Sequence, residues 1–521
     1  MTAYNILLLT NRDSDNVGDQ LIEATVMSLI SAAMANIGVR PRDFKINSRA
    51  AGIISKKYMS TGDEALLADA RDAILKADLI IFGGAPLFNY SYQNFYLRTI
   101  RTLELAQEYG VPVIFSSIGV EPYSDSNPKS QRLKQALHLP VVRQITTRDD
   151  IEAVEQYLAG TQVPRSLVSD PAVFTEQVFD GVVSARKEKT NGGGKKTIGL
   201  VVTRAGIFAD NGIDFPEAKQ REFWLDVIAE LEARGDDYRL FTTGHFTDEV
   251  FLDSLVRDHG IPTKKVKFAV NSPEEMLKQL NDCDGVIAYR LHASIAAFSY
   301  KIPAIGLSWN FKVPYFYETM GYGQRALPAE KWNAATVLAA LDIAMEEGVV
   351  HNDEFTFSVY ETLFNGIKSV FAPRSKAKVY TIEQLRAEIP RYKGTTYAQY
   401  TEKMHRKLRR TYESYQKIAR KAAAQPAPAV KKDASASSVK PQASEGAVAN
   451  AVTGAPKDAT SALDVRLASV EKRLVAAELR NASLEKRQAS FELRQEDTDR
   501  SIRKLKNILP IRLWHKLRGH K

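Results

Sequence analysis

Short apolar runs alternate with longer stretches of helical spacing along the first part of the chain. The runs NILLLT, ADLIIFGG and VPVIFSSIG have the composition of buried strands, and LIEATVMSLISAAMANIG and residues 94–109 have the spacing of helices. Residues 141–174 continue the alternation with ITTRD and SLVSDPAVF, which run into polar turns. Strands and helices that alternate in this way predict a parallel, doubly wound sheet.

A second alternation of the same kind follows a break at residues 188–197. The break, EKTNGGGKKT, is rich in Gly and Lys and has the composition of a linker. Beyond it come the strand-like runs TIGLVVTR, YRLFTTG, VKFAV, GVIAYR and IPAIGLS, with a helix near 217–234. We therefore predict two Rossmann-like α/β domains, at 1–187 and 198–350, that face a cleft. Ligands of such sheets bind outside the carboxyl ends of the strands.

The C-terminal part of the chain has a different pattern. Residues 351–423 predict a helical, basic extension, and residues 424–460, rich in Ala, Pro and Ser, predict a disordered linker. Residues 461–509 repeat apolar positions in steps of four and three, with Asn481 at an a-type position. This spacing favours an oligomerising coiled coil, hence a homo-oligomer, over a lone surface helix. Residues 510–521 form a basic amphipathic tail, which is either a frayed end or a contact for an anionic membrane.

The net charge of +9 is unevenly distributed. Residues 401–521 hold 27 Lys and Arg against 13 Asp and Glu, a net of +14, which leaves −5 for residues 1–400. An anion site within residues 1–400 must therefore be formed by a local cluster of cationic side chains. The positive charge of residues 401–521 is large enough to attract an anionic surface. The tail lacks the interleaved aromatic residues of a base-stacking surface, so we expect no specific nucleic-acid binding.

Cysteine usage and hydropathy limit the protein class further. The single cysteine, Cys283, excludes a disulfide framework or a Cys-rich metal site and fits a reducing compartment. No run approaches the roughly 20 apolar residues of a membrane span. The N-terminal apolar run has no basic segment before it and predicts a strand rather than a signal peptide. We expect a cytoplasmic protein without a metal, which could meet the inner face of the plasma membrane through its basic tail.

The most informative candidate site is Arg290-Leu291-His292. These residues end the apolar strand GVIA and precede the small-residue helical run ASIAAFSY. The free N–H groups of a helix N-terminus favour anions, and side chains two residues apart at a strand end point to the same side. A buried ion pair would explain Arg290 but not His292. Lys312, after the next strand, adds a third cation, so the segment predicts an anionic substrate.

Other strand-end residues each have two explanations. Arg204 follows the strand TIGLVVT and is a candidate second anion clamp, since a guanidinium binds carboxylate or phosphate in a bidentate way. His245 follows FTTG and is either a ligand contact or a loop histidine. Glu121 and Asp149 are candidate bases in the first half, although Asp149 could also orient a basic residue. Asp170, before a Pro, is better explained as a structural cap.

The turns after the first and third strand-like runs are candidate ligand contacts. Asn16 and Gly18 lie where backbone N–H groups could approach a ligand, and Asp19 beside them could do no more than cap the following helix. Gly83 and Gly84 end the strand ADLIIF and permit close approach, either of substrate or of another part of the protein. Both explanations remain open for these residues.

Taken in order, these landmarks resemble the polysaccharide pyruvyl transferase family over residues 4–325. The matching pieces are Asn16-Val17-Gly18-Asp19 with Leu21-Ile22, Gly83-Gly84, Ser117-Ile118-Gly119, Arg148-Asp149, Ser169-Asp170-Pro171, Arg290-Leu291-His292 and Lys312. The resemblance implies a fold similar to two-domain glycosyltransferases of the B type and transfer of a pyruvyl group from phosphoenolpyruvate to a sugar. It also implies that the Arg-Leu-His segment meets the donor phosphate and that His292 acts as acid. Ala85 stands where a third glycine is common in the family.

The implied chemistry suits these residues. Phosphoenolpyruvate carries a carboxylate and a phosphate, so cations must hold it, and protonation of C3 makes C2 electrophilic to a sugar hydroxyl. An imidazole that titrates near neutral pH can provide that proton, and Asp19, Glu121 or Asp149 could accept the hydroxyl proton. We expect a ketal-forming pyruvyl transferase, without a cofactor, that acts on a sugar or lipid-linked oligosaccharide in exopolysaccharide, capsule or cell-wall glycan synthesis. The alternatives are a nucleotide-sugar-dependent glycosyltransferase of similar fold and a scaffold that acts through the coiled coil.

Overall fold

The structure is a computed structural model of the 521-residue chain, and it describes residues 4–90, 95–183, 194–204 and 206–424. Within these residues lie two six-stranded sheets whose neighbouring strands all run parallel. The predicted pair of parallel-sheet α/β domains is confirmed. The coiled coil at 461–509 and the basic tail at 510–521 lie outside the described residues and stay predictions.

The first domain is built on a sheet with a buried centre. Its strands are β1 (Tyr4–Thr10), β2 (Phe44–Ala50), β3 (Leu79–Gly83), β4 (Val113–Ile118), β5 (Val142–Thr147) and β6 (Arg165–Leu167). Their order is β2-β1-β3-β4-β5-β6. Ile6 of β1 pairs with Ile46 on one side and with Leu79 on the other. Residues of β1 and β3 are apolar without alternation because helices cover both faces of a parallel sheet.

The helices of this domain connect its strands. They are α1 (Val17–Asn36), α2 (Lys56–Thr61), α3 (Ala68–Leu75), α4 (Phe95–Tyr109), α5 (Pro128–Leu137), α6 (Ile151–Tyr157) and α7 (Thr175–Phe179). Asn16 caps α1, since its side-chain oxygen accepts from the Gly18 N–H at 3.1 Å. The cap fixes where the chain leaves β1 and enters α1, which is the position of the predicted ligand turn.

The second domain repeats the plan with a different strand order. Its strands are β7 (Thr197–Val201), β8 (Asp237–Phe241), β9 (Val266–Lys267), β10 (Gly285–Ala288), β11 (Ala304–Leu307) and β12 (Ala326–Leu327). Its helices are α8 (Glu217–Ala233), α9 (Phe246–His259), α10 (Pro273–Asn281), α11 (Leu291–Ser299), α12 (Lys312–Thr319) and α13 (Ala334–Glu347). The order β12-β11-β10-β7-β8-β9 is that of the dinucleotide-binding Rossmann sheet.

Both sheets contain a point where the strand order reverses. In the first sheet the point lies between β1 and β3, and in the second it lies between β7 and β10. Ligands of open α/β sheets bind outside the carboxyl ends of the strands at such a point. The loops that follow these four strands are therefore the parts of the fold from which a site is expected.

The two domains share apolar packing. Leu21 of α1 belongs to the same buried cluster as Leu277 of α10 and Ile295 of α11, and two further clusters cover the other faces of the two sheets. The backbone N–H of Val17 donates to the carbonyl of Thr243 at 2.7 Å. The contact holds the start of α1 against the loop after β8.

The chain then returns to the first domain. The last helices are α14 (Asp353–Phe371), α15 (Ile382–Glu388) and α16 (Tyr397–Ala424). α14 packs on α1, and the Gln144 side chain donates to the carbonyl of Thr362 at 3.0 Å. α16 contacts both domains, since Lys407 Nζ donates to the carbonyl of Gly244 at 2.8 Å and Arg406 lies 3.5 Å from Asp13. Among the helices described, none combines the length and apolar content that a membrane crossing requires.

Candidate active site

A cavity of about 660 Å³ lies where the carboxyl ends of the two sheets meet. Its walls come from the loop after β1, the segments after β3 and β4, and the ends of β7, β8, β10 and β11. Seven of the residues predicted from sequence line it, namely Asn16, Asp19, Glu121, Arg204, His245, Arg290 and Lys312. The structure therefore brings these side chains, which are separated by up to about 300 residues along the chain, around one space.

Arg290 is held in place by a carboxylate behind it. Its Nε donates to Asp248 Oδ2 and its Nη2 to Asp248 Oδ1, both at 2.8 Å. Asp248 is fully buried and also accepts from the backbone N–H of Arg204 at 2.9 Å. The ion pair that sequence alone offered as an alternative for Arg290 thus exists. It also fixes the guanidinium at the cavity wall, and such bidentate pairs are strong and directional.

Arg204 and His245 lie on the same wall as Arg290. Arg204 Nη2 is 3.3 Å from Asp210 Oδ2, and its side chain is more than a third exposed. His245 precedes α9, and its Nδ1 is 2.8 Å from Thr247 Oγ1. Burial lowers the pKa of the His245 imidazole, while the nearby Asp248 acts in the opposite direction. At neutral pH this histidine is therefore biased toward its neutral form when the cavity holds no anion.

His292 lies behind the cavity wall and not on it. The residue is 9% exposed and is the second residue of α11. A methyl group on Gly18 would come within 2.4 Å of His292 Cβ, so the turn at Gly18 accommodates the imidazole. Among the residues the structure describes, Nε2 has no hydrogen-bond partner. Burial lowers the pKa of His292, and the carboxylates of Asp170 and Asp19 act against that effect.

The residues at the start of α1 have two roles: one caps the helix, and others line the cavity or contact His292. The sequence suggested Asp19 as the cap of α1. In the structure the capping residue is Asn16. Asp19 is 8% exposed and lines the cavity from the first turn of α1. Gly18 is required by the close contact with His292. Asn16 and Asp19 thus line the cavity, whereas Gly18 acts through its contact with His292.

A buried charged cluster lies next to His292, between the two domains. Arg148 hydrogen-bonds Asp170, and its Nε lies 4.0 Å from Asp149 Oδ1. Asp149 accepts from the backbone N–H of Val120 at 3.2 Å. Burial raises the pKa of Asp149, with Arg148 and Lys312 acting against the shift. Asp170 caps the following turn and pairs with Arg148, as the structural explanation of that residue predicts.

Lys312 connects this cluster to the cavity. It begins α12, lines the cavity, and also lines a small space beside Arg148 and Asp149. Burial lowers the pKa of Lys312, and Asp149 acts against the shift. No carboxylate of the described ranges lies within salt-bridge distance of its Nζ. Lys312 is thus the cavity cation whose charge is not taken up by a paired carboxylate.

Besides Gly18, three residues predicted to bind substrate are not part of the cavity lining. A methyl group on Gly84, whose φ is +61°, would come within 2.5 Å of Ile22 Cγ2, and one on Gly83 would come within 3.0 Å of Val26 Cγ1. The close approach that these glycines allow is therefore that of α1, which is the packing explanation. Leu291 lines only the small space beside Arg148. Contact of these residues with substrate stays a prediction.

Several residues that line the site were not anticipated. The polar and aromatic lining includes Asn11, Asn89, Trp309, Asn310 and Phe311. Trp309 and Asn310 adjoin Lys312 in SWNFK, so their position in sequence was an available signal. Asp248 carried no such signal, because nothing in FTDEV distinguishes it from Glu249. No group of three or more His, Cys, Asp or Glu side chains with metal-site geometry occurs in the described part of the chain.

The chain is similar to known proteins both in sequence family and in structure. The model of the family described as polysaccharide pyruvyl transferase matches residues 16–310. No curated protein sequence gives a significant match. Among solved structures, UDP-GlcNAc 2-epimerase of Methanocaldococcus jannaschii is similar at 14% identity over 71% of this chain and 100% of that chain, with a TM-score of 0.43. ADP-heptose heptosyltransferase II of E. coli is similar at 12% identity over 66% and 99%, with a TM-score of 0.33.

The family match extends from the cap of α1 to the segment that precedes Lys312. It spans more than half of the 521 residues and includes the Asn16–Asp19 turn and the Arg290–His292 segment. The resemblance that these motifs carried in the sequence is confirmed, and the chain belongs to the polysaccharide pyruvyl transferase family.

Proposed function

We propose that the protein transfers the pyruvyl group of phosphoenolpyruvate to two hydroxyls of a glycan sugar, which forms a pyruvate ketal and releases phosphate. The observation that carries the proposal is the set of three cations, Arg204, Arg290 and Lys312, around one cavity that Asp19 also lines, in a chain that belongs to this family. Family membership implies a pyruvyl donor and a glycan acceptor. That the donor is phosphoenolpyruvate is our proposal.

The cations suit a donor with two anionic groups. Phosphoenolpyruvate bears a phosphate and a carboxylate, and Arg290 is preset by Asp248 to meet one of them. Because the carboxylate of Asp248 is already in place, little side-chain entropy is lost when the anion binds. Lys312 and Arg204 lie on the same cavity and can hold the second anionic group.

We propose His292 as the acid that protonates C3; because the imidazole lies behind the cavity wall, this role requires the side chains between it and the cavity to move when the donor binds. Burial lowers its pKa, whereas an anionic substrate beside it favours the charged form. Binding of the donor would therefore charge the imidazole at the moment when the proton is needed. Since Nε2 has no partner within the described residues, its proton is not committed to another acceptor.

The proton and bond changes balance with this set of groups. Protonation of C3 makes C2 electrophilic, the first sugar hydroxyl forms a C–O bond to C2, and the bond between C2 and the phosphate oxygen breaks. The second hydroxyl then closes the ketal at C2. Of the two hydroxyl protons, one replaces the proton given to C3 and the other leaves with phosphate. We assign the first deprotonation to Asp19 or Glu121, which line the cavity, and give the buried Asp149 a positioning role.

The acceptor side is proposed to be the amide and aromatic part of the lining. Asn11, Asn89 and Asn310 provide donors and acceptors for hydroxyls, and Trp309 and Phe311 provide apolar surface. Sites for polar ligands often combine apolar walls with a few placed polar groups in this way. The corresponding acceptor class is a sugar of an exopolysaccharide, capsule or cell-wall glycan, met in the cytoplasm as a free or lipid-linked oligosaccharide.

The test uses the full-length protein with phosphoenolpyruvate and a panel of oligosaccharides. We expect phosphate release that depends on the acceptor, together with an acceptor mass increased by one pyruvate ketal. His292→Gln should bind phosphoenolpyruvate and release no phosphate, while Lys417→Met, on the exposed face of α16, should leave turnover unchanged. Protection of the cavity by a nucleoside diphosphate and not by phosphoenolpyruvate would instead favour a glycosyltransferase.

A further inference from the structure

A second cavity of about 410 Å³ lies between α1, the segment 390–396 and α16. Its lining contains five cationic side chains, which are Arg12, Arg391, Lys393, Lys403 and Arg406. Glu23 is the one carboxylate among the residues that line it. Three of the cations have carboxylate partners: Arg12 pairs with Glu23, Arg391 with Asp180, and Arg406 with Asp13 and Glu402.

Lys403 is the unusual member of this set. The residue is 6% exposed, and its buried Nζ has no hydrogen-bond partner among the residues described. A buried ammonium without a partner is costly, and such groups are normally paired or bound to a ligand. Burial and the nearby charge of Lys407 lower the pKa of Lys403 to about 7. The charges of Asp15 and Glu275 oppose this shift, but no described group hydrogen-bonds the ammonium.

Lys407, one turn further along the same face of α16, shows what a structural lysine looks like here. The residue is 7% exposed, and its Nζ donates to the carbonyl of Gly244 at 2.8 Å and to Asn271 Oδ1 at 3.2 Å. Lys407 thus connects α16 to the second domain. The two buried lysines therefore differ: the ammonium of Lys407 has hydrogen-bond acceptors in the protein, and that of Lys403 has none among the described residues.

The remaining lining suits a phosphate group with a polar substituent. Hydroxyl and amide side chains surround the cations, namely Gln20, Ser28, Ser31, Thr395, Thr396 and Gln399. The volume exceeds what an inorganic anion needs and falls within the range of small-molecule sites. Arg12 is oriented by Glu23, at 3.3 Å between Nε and Oε1, which leaves the charge of Lys403 for the ligand.

We propose that this cavity is a second anion site, which binds the phosphate group of a small phosphorylated ligand through Lys403 with Arg12 and Arg406. The ligand is either inorganic phosphate or a phosphate ester such as a sugar phosphate, and the same cations recognise both. The site is separate from the cavity assigned to phosphoenolpyruvate, and the proposal does not depend on the reaction proposed there.

The loop between β1 and α1 is common to both cavities. Asn11, Ser14 and Asn16 line the first cavity, while Arg12 lines the second. Asp13 and Asp15 alternate with them and pair with α16, at 3.5 Å from Arg406 and 3.2 Å from Arg410. An anion that binds Arg12 and Arg406 therefore contacts both sides of the junction that positions this loop.

The test measures binding of inorganic phosphate and of glucose 1-phosphate to the full-length protein by calorimetry. Because the first cavity can also bind phosphate, wild type is compared with Lys403→Met, with Arg290→Met and with Lys417→Met as the charge-matched control on α16. We expect two classes of site in wild type and in the Lys417 variant. Lys403→Met should lose one class, with affinity reduced roughly ten- to hundredfold, and Arg290→Met should lose the other.

Two results would overturn the proposal. One is binding of both probes by Lys403→Met with wild-type affinity and stoichiometry, and the other is loss of both classes in Arg290→Met alone. If Lys403→Met does not fold, Lys393→Ala tests the same point, because Lys393 is exposed at the rim and its removal should weaken the same class. A higher affinity for glucose 1-phosphate than for inorganic phosphate identifies the ligand as an ester, and the reverse identifies free phosphate.

Discussion

Replacing Lys403 with Met should stabilise the protein, although it removes a residue from the second cavity. The folded state lowers the pKa of Lys403 from its ordinary 10.5 to about 7. Below pH 7 the lysine is charged in both the folded and the unfolded state, so the full cost of burying the charge is present. A difference of 3.5 pKa units at about 1.4 kcal/mol per unit corresponds to about 5 kcal/mol.

The pH dependence of this effect has a defined sign. Between pH 7 and 10.5 the unfolded state binds more protons than the folded state at Lys403, so the wild-type free energy of unfolding rises with pH. The advantage of Met should therefore fall from about 5 kcal/mol at pH 6 to about 2 kcal/mol at pH 9. The groups that act on Lys403 are Lys407 and Arg406 from α16, Asp15 from the loop after β1 and Glu275 from α10.

The assay is thermal unfolding of wild type, Lys403→Met and Lys407→Met in a buffer free of phosphate and sulfate. Lys403→Met should raise the Tm at pH 6 by several degrees, and the difference should shrink by pH 9. Lys407→Met should lower the Tm, since the acceptors on Gly244 and Asn271 lose their donor at a cost of about 1–3 kcal/mol. If Lys403→Met lowers the Tm as Lys407→Met does, Lys403 is a structural residue and the reasoning is wrong.

Three further predictions concern the two cavities. Gly18→Ala should lower turnover at least tenfold while the protein stays folded, because the methyl group would lie 2.4 Å from His292 Cβ and must displace the imidazole. Unchanged steady-state kinetics of this variant would contradict the role of the contact. Asp248→Asn should raise the KM for phosphoenolpyruvate roughly tenfold or more and affect kcat less, because Arg290 loses the ionised partner that orients it. A change in kcat alone would show that the Arg290–Asp248 pair does not contribute to donor binding. Sulfate, which stays a dianion, should bind the second cavity about tenfold more weakly at pH 8 than at pH 6, because Lys403 loses its charge above about pH 7, and calorimetry that finds equal affinity at both values would count against this titration.

The fold class could be predicted from the sequence because the central strands of both sheets are clear apolar runs. Strands such as β1 and β3 are uninterrupted apolar runs, since helices cover both faces of a parallel sheet. The edge strand β2, FKINSRA, was not recognised. It alternates half-buried and exposed residues and has only two large apolar side chains. A strand that lies at the edge of a sheet leaves a weaker signal in its composition than one at the centre.

The candidate site was predictable where its residues lie at the carboxyl ends of central strands. Arg204 and Arg290 follow β7 and β10, which flank the point where the strand order reverses, and topology alone sends both to the same cavity. Asp248 lies on α9 and meets Arg290, 42 residues further along the chain, only in the folded protein, which no local pattern encodes. The buried position of His292 was likewise invisible, because it depends on the absence of a side chain at Gly18, far away in sequence.

The first two turns of α1 contribute side chains to both cavities. Asp19 lines the first cavity, whereas Gln20 and Glu23 line the second. Neighbouring residues of a helix point in directions about 100° apart, so one short turn can present side chains to two spaces. Val17 ties this turn to the second domain through Thr243, and Asp15 ties the loop before it to Arg410 of α16. We therefore expect the two cavities to be coupled: if a ligand in the second cavity fixes this turn, it changes the free energy of placing Asp19, and by linkage a ligand beside Asp19 changes the affinity of the second cavity by the same factor.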